Sequence, residues 1–308
     1  MKKIIFLVFL VSLSNLTSQS SVDCSSNLSI FAEYYKVKNY EAAYEPWMAV
    51  RKECPKINPA IYFQGSRMLD EFIKKSEGET KNAYQKDLLK LYDEWLINFP
   101  AYNGRSIVGQ IMSNKAQKMI DYKLASKNEI FILFENAYQT DPLSFDDPKP
   151  LYSYFKTYFQ LYKDGENDIT LNQIFNKYEE LSERYNSIID EYSKQIDIII
   201  NKENSGIALT SREKRNKRVY EINSNASNIY LRNLNAIIAK ESTCENLIPL
   251  YRKNLEENKT NPVWLNRAAS RMDSKECSDD PLFVELVELL HNLNPSANSA
   301  YYLGLLND

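Results

Sequence analysis

One spacing of residues recurs four times along this chain and predicts how each of those segments folds. A first residue is followed after four positions by an aromatic or apolar residue, after three more by another, and after five more by a proline. The spacing of four and then three places three side chains on one face of an α-helix. The helix must end near the proline, because proline lacks the backbone N–H and its ring clashes with the preceding turn. The instances are Ala43, Trp47, Val50 and Pro55; Leu88, Tyr92, Trp95 and Pro100; Ile130, Phe134, Ala137 and Pro142; Phe283, Val287, Leu290 and Pro295.

Glycine and histidine are scarce, which limits both the fold classes and the kinds of catalytic or metal site that this chain can form. Only 7 of the 308 residues are glycine. Hairpin-rich sheets, collagen-like repeats and glycine-lined phosphate loops are therefore disfavoured, because each needs residues that tolerate positive φ or close backbone approach. We predict an all-α fold. The single histidine, His291, excludes most Ser/His/Asp, Cys/His and multi-histidine metal sites.

The best-formed repeat resembles the tetratricopeptide repeat (TPR) family, whose second helix carries alanine, an aromatic residue, alanine and proline at these offsets. The segment Tyr40–Glu45, followed by Trp47 and Pro55, is similar to that helix. The segment 135–142 is similar to the end of such a repeat. Gly65 stands where the next first helix of the family has its small residue.

The resemblance covers residues 25–142 and 245–308 and implies a TPR-like α-solenoid of antiparallel helix pairs with a concave binding face. The chain resembles in particular the exported repeat proteins of Gram-negative cell envelopes. The expected organisation is a signal peptide at 1–20, TPR-like repeats at 21–142, a helical segment with a long hairpin at 143–240, and TPR-like repeats at 241–308, the last of them incomplete.

A long helical hairpin is predicted between the repeat blocks, where the apolar residues follow a heptad. One heptad position holds Leu171, Tyr178, Tyr185, Tyr192 and Ile199, and the other holds Ile174, Leu181, Ile188 and Gln195. This pattern predicts a helix of about 33 residues, near 50 Å at 1.5 Å per residue, that ends at Asn204-Ser205-Gly206. Thr210 and Glu213 have the spacing of a capping box and predict the start of a second long helix. Its inner face is expected to carry Val219, Ile222, Ala226, Ile229, Leu234 and Ile237.

The N-terminus has the three-part pattern of a secretory signal peptide. Lys2 and Lys3 precede the apolar run Ile4–Leu13, and small residues stand at the peptidase positions of Ser18-Gln19-Ser20. The apolar run is about half the length that a membrane-spanning helix needs. We predict removal of residues 1–20, which leaves 36 basic and 41 acidic residues, a net charge of −5, and no transmembrane span.

The four cysteines fall into two pairs, Cys24 with Cys54 and Cys244 with Cys277. Neither pair has the close spacing of zinc or redox sites. In an oxidising compartment this pattern indicates two disulfides. The alternative is four buried free thiols, because spacing does not prove connectivity. Lipidation of Cys24 is disfavoured, since Asp23 stands where a small residue is required.

No catalytic signature is complete, so we expect no enzymatic activity and no cofactor or metal. Gly104 and Gly109 have the spacing of a phosphate loop, but Gln110-Ile111 stand where Lys and Ser or Thr are required. Neither GxSxG nor HExxH occurs. Glu241-Ser242 is similar to the glutamate-serine pair of lytic transglycosylases, without the sequence that accompanies it there. His291 is interpreted as a helix-end residue.

Tyrosine is abundant, with 22 residues, and two interpretations are open. Aromatic rings offer rigid contact area for a sugar or peptide groove. Amphipathic periodicity alone predicts instead that the rings complete the core, and we favour this interpretation. The residues concerned are Tyr34, Tyr35, Tyr152, Tyr154, Tyr158 and Tyr162.

A basic cluster occupies the first turns of the second long helix, where the helix dipole disfavours cations. It consists of Arg212, Lys214, Arg215, Lys217 and Arg218. In an antiparallel hairpin, Asp197 and Glu203 would lie opposite and pair with these residues. The alternative is a docking patch for an acidic partner or for anionic lipid head groups. A nucleic-acid partner is disfavoured for an exported chain with a net charge of −5.

These observations predict a periplasmic or secreted, non-enzymatic scaffold or adaptor that holds another envelope protein through its repeats. The alternative is a periplasmic glycan- or peptide-binding protein. A further repeat begins at Ser296, and the chain stops at Asp308. We expect an apolar edge with Tyr301, Leu303 and Leu306, which marks either a truncated repeat array, the favoured interpretation, or a partner-docking edge that also allows self-association. The alternative is fraying of a short terminal helix.

Overall fold

The computed structural model describes residues 23–305, and helices make up nearly all of the regular structure in that range. In residues 23–99 the helices are α1 (Cys24–Lys36), α2 (Tyr40–Glu53), α3 (Ala60–Lys75) and α4 (Gly78–Asn98). From residue 100 the elements are β1 (Ala101–Tyr102), β2 (Arg105–Ser106), α5 (Val108–Tyr122), α6 (Lys127–Thr140), α7 (Pro148–Lys163), α8 (Leu171–Asn204), α9 (Ser211–Ala239), α10 (Cys244–Asn258), α11 (Pro262–Ser274), α12 (Pro281–Leu293) and α13 (Ala297–Leu305). The predicted all-α fold class is confirmed.

The chain forms two compact units, one up to Phe99 and one from Pro100. This boundary lies inside the predicted repeat block 21–142. In each unit, helices that follow one another in sequence pack together, such as α1 with α2 and α3 with α4 in the first unit. Sequential pairing of this kind is the arrangement from which α-solenoids are built. The predicted signal peptide at 1–20 lies outside the described residues.

The recurring proline stands at the same distance from the helix end in all four predicted segments. α2, α4, α6 and α12 each end two residues before their proline. Proline disfavours helical backbone at the residue before it, which accounts for this common end point. The three predicted inward positions of each segment are buried, except that Trp95 is only half-buried.

Trp47 and Gly65 explain why the first unit needs a small residue at position 65. The Trp47 side chain is fully buried, and its Nε1 donates to the carbonyl of Ile61 at 2.7 Å. A Cβ added to Gly65 would lie 2.6 Å from Trp47 Nε1. The Arg51 guanidinium lies 5.0 Å from the Trp47 ring centroid. Two carboxylates hold that guanidinium, those of Asp87 at 2.9 Å and Glu94 at 2.7 Å.

Gly104 and Gly109, which share the spacing of a phosphate loop, have structural roles in the second unit. Gly104 has a φ of +75° in the turn between β1 and β2, a conformation that glycine adopts without steric cost. A Cβ on Gly109 would lie 2.2 Å from the backbone carbonyl of Asp141, so glycine lets α5 approach the end of α6.

The predicted hairpin is present as α8 and α9. Thr170 caps α8 and Thr210 caps α9, and each takes part in a complete capping box, with Gln173 and Glu213 respectively. Tyr178 donates to Asn235 at 2.9 Å, and Asn223 donates to the Tyr192 hydroxyl at 3.3 Å. The start of α8 thus contacts the end of α9, and Lys202 at the end of α8 pairs with Glu213 at the start of α9. These contacts confirm the antiparallel arrangement.

The predicted inner face of α9 was wrong except at its end. Val219, Ile222 and Ile229 are 45%, 56% and 48% exposed. Ala226 and Ile237 are only half-buried, and Leu234 is buried as predicted. The buried positions of α9 are Ser227, Leu234 and Ile238. The physical reason is that α8 presents tyrosines to α9, and their hydroxyls need polar partners such as Asn223 and Asn235.

At the C-terminal end, α13 covers part of the preceding helix. Tyr302 is buried and its ring lies 6.0 Å from that of Phe283. Tyr301 is 57% exposed and Leu303 is half-buried, while Leu306 lies outside the described residues. Self-association through this edge stays a prediction. Between residues 23 and 305, no helix combines the length and apolar character that crossing a membrane requires.

Candidate functional site

Both predicted cysteine pairs lie at disulfide distance. Cys24 joins the start of α1 to Cys54 at the end of α2, with their Cα atoms 6.1 Å apart. Cys244 joins the start of α10 to Cys277 beyond α11, with Cα atoms 5.5 Å apart. Each bond closes a pair of neighbouring helices within one compact unit. No free cysteine remains among the described residues, as the predicted pairing of the four cysteines requires.

The basic cluster lies on α9 directly after the turn of the hairpin. Lys217 pairs with Glu203 at 2.8 Å, as expected for an antiparallel hairpin. Asp197 forms no ion pair with the cluster in the part of the chain that is described. The other four cations are exposed and have no ion pair within residues 23–305: Arg212, Lys214, Arg215 and Arg218.

The first turn of α9 also carries one carboxylate, that of the capping-box residue Glu213. Lys202 donates to the Glu213 carboxylate at 2.5 Å, and the backbone N–H of Thr210 donates to the same group at 2.8 Å. These hydrogen bonds, that from Lys202 first, lower the pKa of Glu213 to about 2. The carboxylate therefore remains negative at the positive end of the helix dipole.

The unpaired cations continue into an aliphatic stripe on the same side of the helix. Spacings of three and four residues join six positions into one face, which we call the outer face of α9. Its first two turns are cationic and its next three are aliphatic. The face runs over about 25 Å at 1.5 Å per residue. It consists of Arg212, Arg215, Val219, Ile222, Ala226 and Ile229.

The six selected tyrosines are divided between the two compact units. Tyr154 and Tyr158 are buried, which confirms the core interpretation for these two residues. Burial is the largest cause, and the hydrogen bond to Glu135 the second, of a pKa of Tyr154 far above its usual range. Tyr152 and Tyr162 are half-buried, whereas Tyr34 and Tyr35 belong to the other compact unit.

His291 lies in the last turn of α12, as predicted, and its Nδ1 lies 3.0 Å from the Ser299 hydroxyl. Glu241 pairs with Lys163 at 3.1 Å, and the hydroxyl of Ser242 donates to the carbonyl of Ile238 at 2.9 Å. Each of these side chains thus has a structural partner.

A polar cavity of about 510 Å³ lies between α8, α9 and α11, and no sequence motif predicted it. Glu179 bridges Arg267 at 2.9 Å and Arg271 at 3.0 Å across its wall. The Arg271 guanidinium also lies 4.8 Å from the Tyr178 ring centroid. Ser182 lines the cavity, and its buried hydroxyl has no hydrogen-bond partner among residues 23–305. The i,i+4 spacing of the two arginines, matched by Glu179 and Glu183, was the only sequence signal for this network.

No protein-family model matches this chain, and neither characterised proteins nor solved structures show significant similarity to it. The resemblance to TPR proteins therefore rests on the spacing and identity of the residues described above.

Proposed function

We propose that this chain is an exported, non-enzymatic adaptor of the TPR-like type and that the outer face of α9 is its docking surface. The observation that carries the proposal is the continuity of unpaired cations with exposed aliphatic side chains on one helix face. Two disulfides support a compartment outside the cytoplasm, because such bonds rarely persist in reducing surroundings.

The partner that fits this face is an amphipathic helix whose acidic end lies beside an apolar stripe. Val219, Ile222 and Ile229 are about half exposed, and covering them would contribute about 2 to 4 kcal/mol, from roughly 1.5 to 3 kcal/mol per fully buried side chain. The arginines would accelerate encounter with acidic residues and fix the orientation of the partner. Spacings of three and four residues suit the packing of one helix against another.

A protein partner fits better than an anionic membrane. Helices that lie in a membrane interface usually present a broad apolar face with Trp, Phe or Leu. The outer face of α9 has only β-branched residues and alanine in its apolar part, and it is one residue wide. The exposed Asn225 flanks it and the exposed Asn233 is the next position along it, so both limit the apolar surface that a bilayer could cover.

The test is photo-crosslinking in intact cells that produce the chain with a photoreactive residue in place of Asn225, beside the outer face. Charge reversal of Arg212, Arg215 and Arg218 to Glu should lower the yield of the crosslinked partner at least 10-fold. A matched control reverses three exposed cations outside the outer face: Lys240, Lys253 and Lys259. This control should retain the yield of the wild type.

Ile222→Asp tests the apolar part of the same face and should also abolish the crosslink, while circular dichroism shows that the helices remain. If the triple reversal and Ile222→Asp both leave the yield unchanged, the outer face is only a solvated surface. If the chain instead binds vesicles rich in anionic lipid and the reversal removes that binding, the partner is a membrane and the proposal is wrong.

A further inference from the structure

A second cavity, of about 500 Å³, lies between α5, α6, α7 and α9 and is separate from the outer face of α9. Its volume is in the range of small-molecule sites. The proposed adaptor function does not use it. Three kinds of side chain meet there: an aromatic wall, buried polar groups and a cationic rim.

The aromatic wall comes from two helices. The rings of Tyr152 on α7 and Tyr230 on α9 lie 5.5 Å apart, and both side chains are half-buried. Lys156 Nζ lies 5.9 Å from the Tyr152 ring centroid. A half-exposed tyrosine ring offers a flat apolar surface next to a hydroxyl, which suits the mixed apolar and polar face of a sugar.

The polar floor contains an acceptor without a partner. Gln117 is only 5% exposed, and its Nε2 donates to Asp121 at 2.9 Å. Its Oε1 accepts no hydrogen bond in the described range, although buried polar atoms nearly always form one. Thr157, at 5% exposed, adds a hydroxyl to the same cavity. Because this oxygen has almost no accessible surface, the Gln117 amide must turn toward the cavity before a ligand hydroxyl can donate to it.

The rim is cationic. Lys127 pairs with Asp164, and Lys149 pairs with Asp121 at 2.8 Å. Lys123 and Lys156 also line the cavity, are exposed, and form no ion pair within residues 23–305. Two lysines without carboxylate partners at one cavity favour a ligand with a negative charge.

We propose that this cavity binds an anionic saccharide, with its ring against Tyr152, a hydroxyl on Gln117 and its anionic group between Lys123 and Lys156. The negative group is either a carboxylate, as in uronic acids, or a phosphate. Both present the same chemistry to the lysines, and the experiment distinguishes them.

Isothermal titration calorimetry of the full chain tests the proposal with three probes: trigalacturonate, glucose 6-phosphate and neutral maltotriose. At least one anionic probe should bind saturably, and maltotriose should bind at least 10-fold more weakly. Lys123→Gln with Lys156→Gln should lower the affinity for the anionic probe at least 10-fold. The matched control, Lys240→Gln with Lys253→Gln, removes the same charge at positions that do not line the cavity and should change the affinity less than 2-fold.

Gln117→Leu provides a second variant, since it removes the unpaired oxygen and should weaken binding while circular dichroism shows a folded chain. The proposal is overturned if neither anionic probe saturates the wild type. It is also overturned if maltotriose binds as tightly as the anionic probes, or if the lysine variant and its control have equal affinities.

Discussion

Replacing Gly65 by alanine tests the close approach of α3 to Trp47. The new methyl group would lie 2.6 to 2.7 Å from three atoms of the indole, closer than real Cβ contacts occur. The ring must therefore move. It is fully buried, and its Nε1 donates to Ile61 at 2.7 Å, so movement sacrifices that hydrogen bond.

Three contributions set the expected loss of stability. Overpacking a core costs about 1 to 3 kcal/mol, and losing one buried hydrogen bond costs about 1 kcal/mol. Alanine in place of glycine inside a helix stabilises the helix by about 1 kcal/mol, which offsets part of this loss. The free energy of unfolding should therefore fall by about 1 to 3 kcal/mol, although the same substitution is ordinarily stabilising in a helix.

Urea denaturation followed by circular dichroism measures this change, and the NMR resonance of the Trp47 indole N–H reports the hydrogen bond. Gly304→Ala is the matched control, because Gly304 is also helical and a Cβ there meets no atom within 4 Å. The control should be neutral or slightly stabilising. The packing argument fails if Gly65→Ala is as stable as the wild type and its indole resonance is unmoved.

Two further predictions concern the disulfides and one half-buried carboxylate, that of Asp146. The two disulfides close loops of 30 and 33 residues. Removing either one, by Cys24→Ala with Cys54→Ala or by Cys244→Ala with Cys277→Ala, should lower the free energy of unfolding in urea titrations by about 3.7 kcal/mol. A loss below 1 kcal/mol would contradict the chain-entropy estimate. Burial, then the neighbouring Asp147, raises the pKa of Asp146 to about 6, so stability should fall as the pH rises from 4 to above 6. Asp146→Asn should raise the free energy of unfolding at pH 8 by up to about 3 kcal/mol, seen as a higher melting temperature, and should change stability little at pH 4. Equal effects at the two pH values would refute this assignment.

Local signals predicted the limits of the helices well. The prolines after α2, α4, α6 and α12 act on their immediate neighbours, so the sequence alone sets where those helices end. The capping box of Thr210 and Glu213 is local in the same sense. The antiparallel hairpin followed because the turn between its helices is short.

The face that α9 buries could not be predicted in this way. Hydrophobicity favoured Val219, Ile222 and Ile229, whereas the choice depends on the tyrosines of α8, which need polar partners from a distant part of the chain. The cluster of cations was visible in the sequence, but its continuation into an exposed aliphatic stripe was not. The cavity around Gln117 was equally hidden, because four helices contribute to it and none has a distinctive motif.

The distribution of tryptophan gives each compact unit its own optical signal. The chain has three tryptophans, of which Trp47 and Trp95 belong to the unit before Pro100 and Trp264 to the unit after it. In Trp264→Phe, indole fluorescence would come from the first unit alone, while ellipticity would still average over both. A difference between the two unfolding curves would then show directly whether the units melt together or in separate steps.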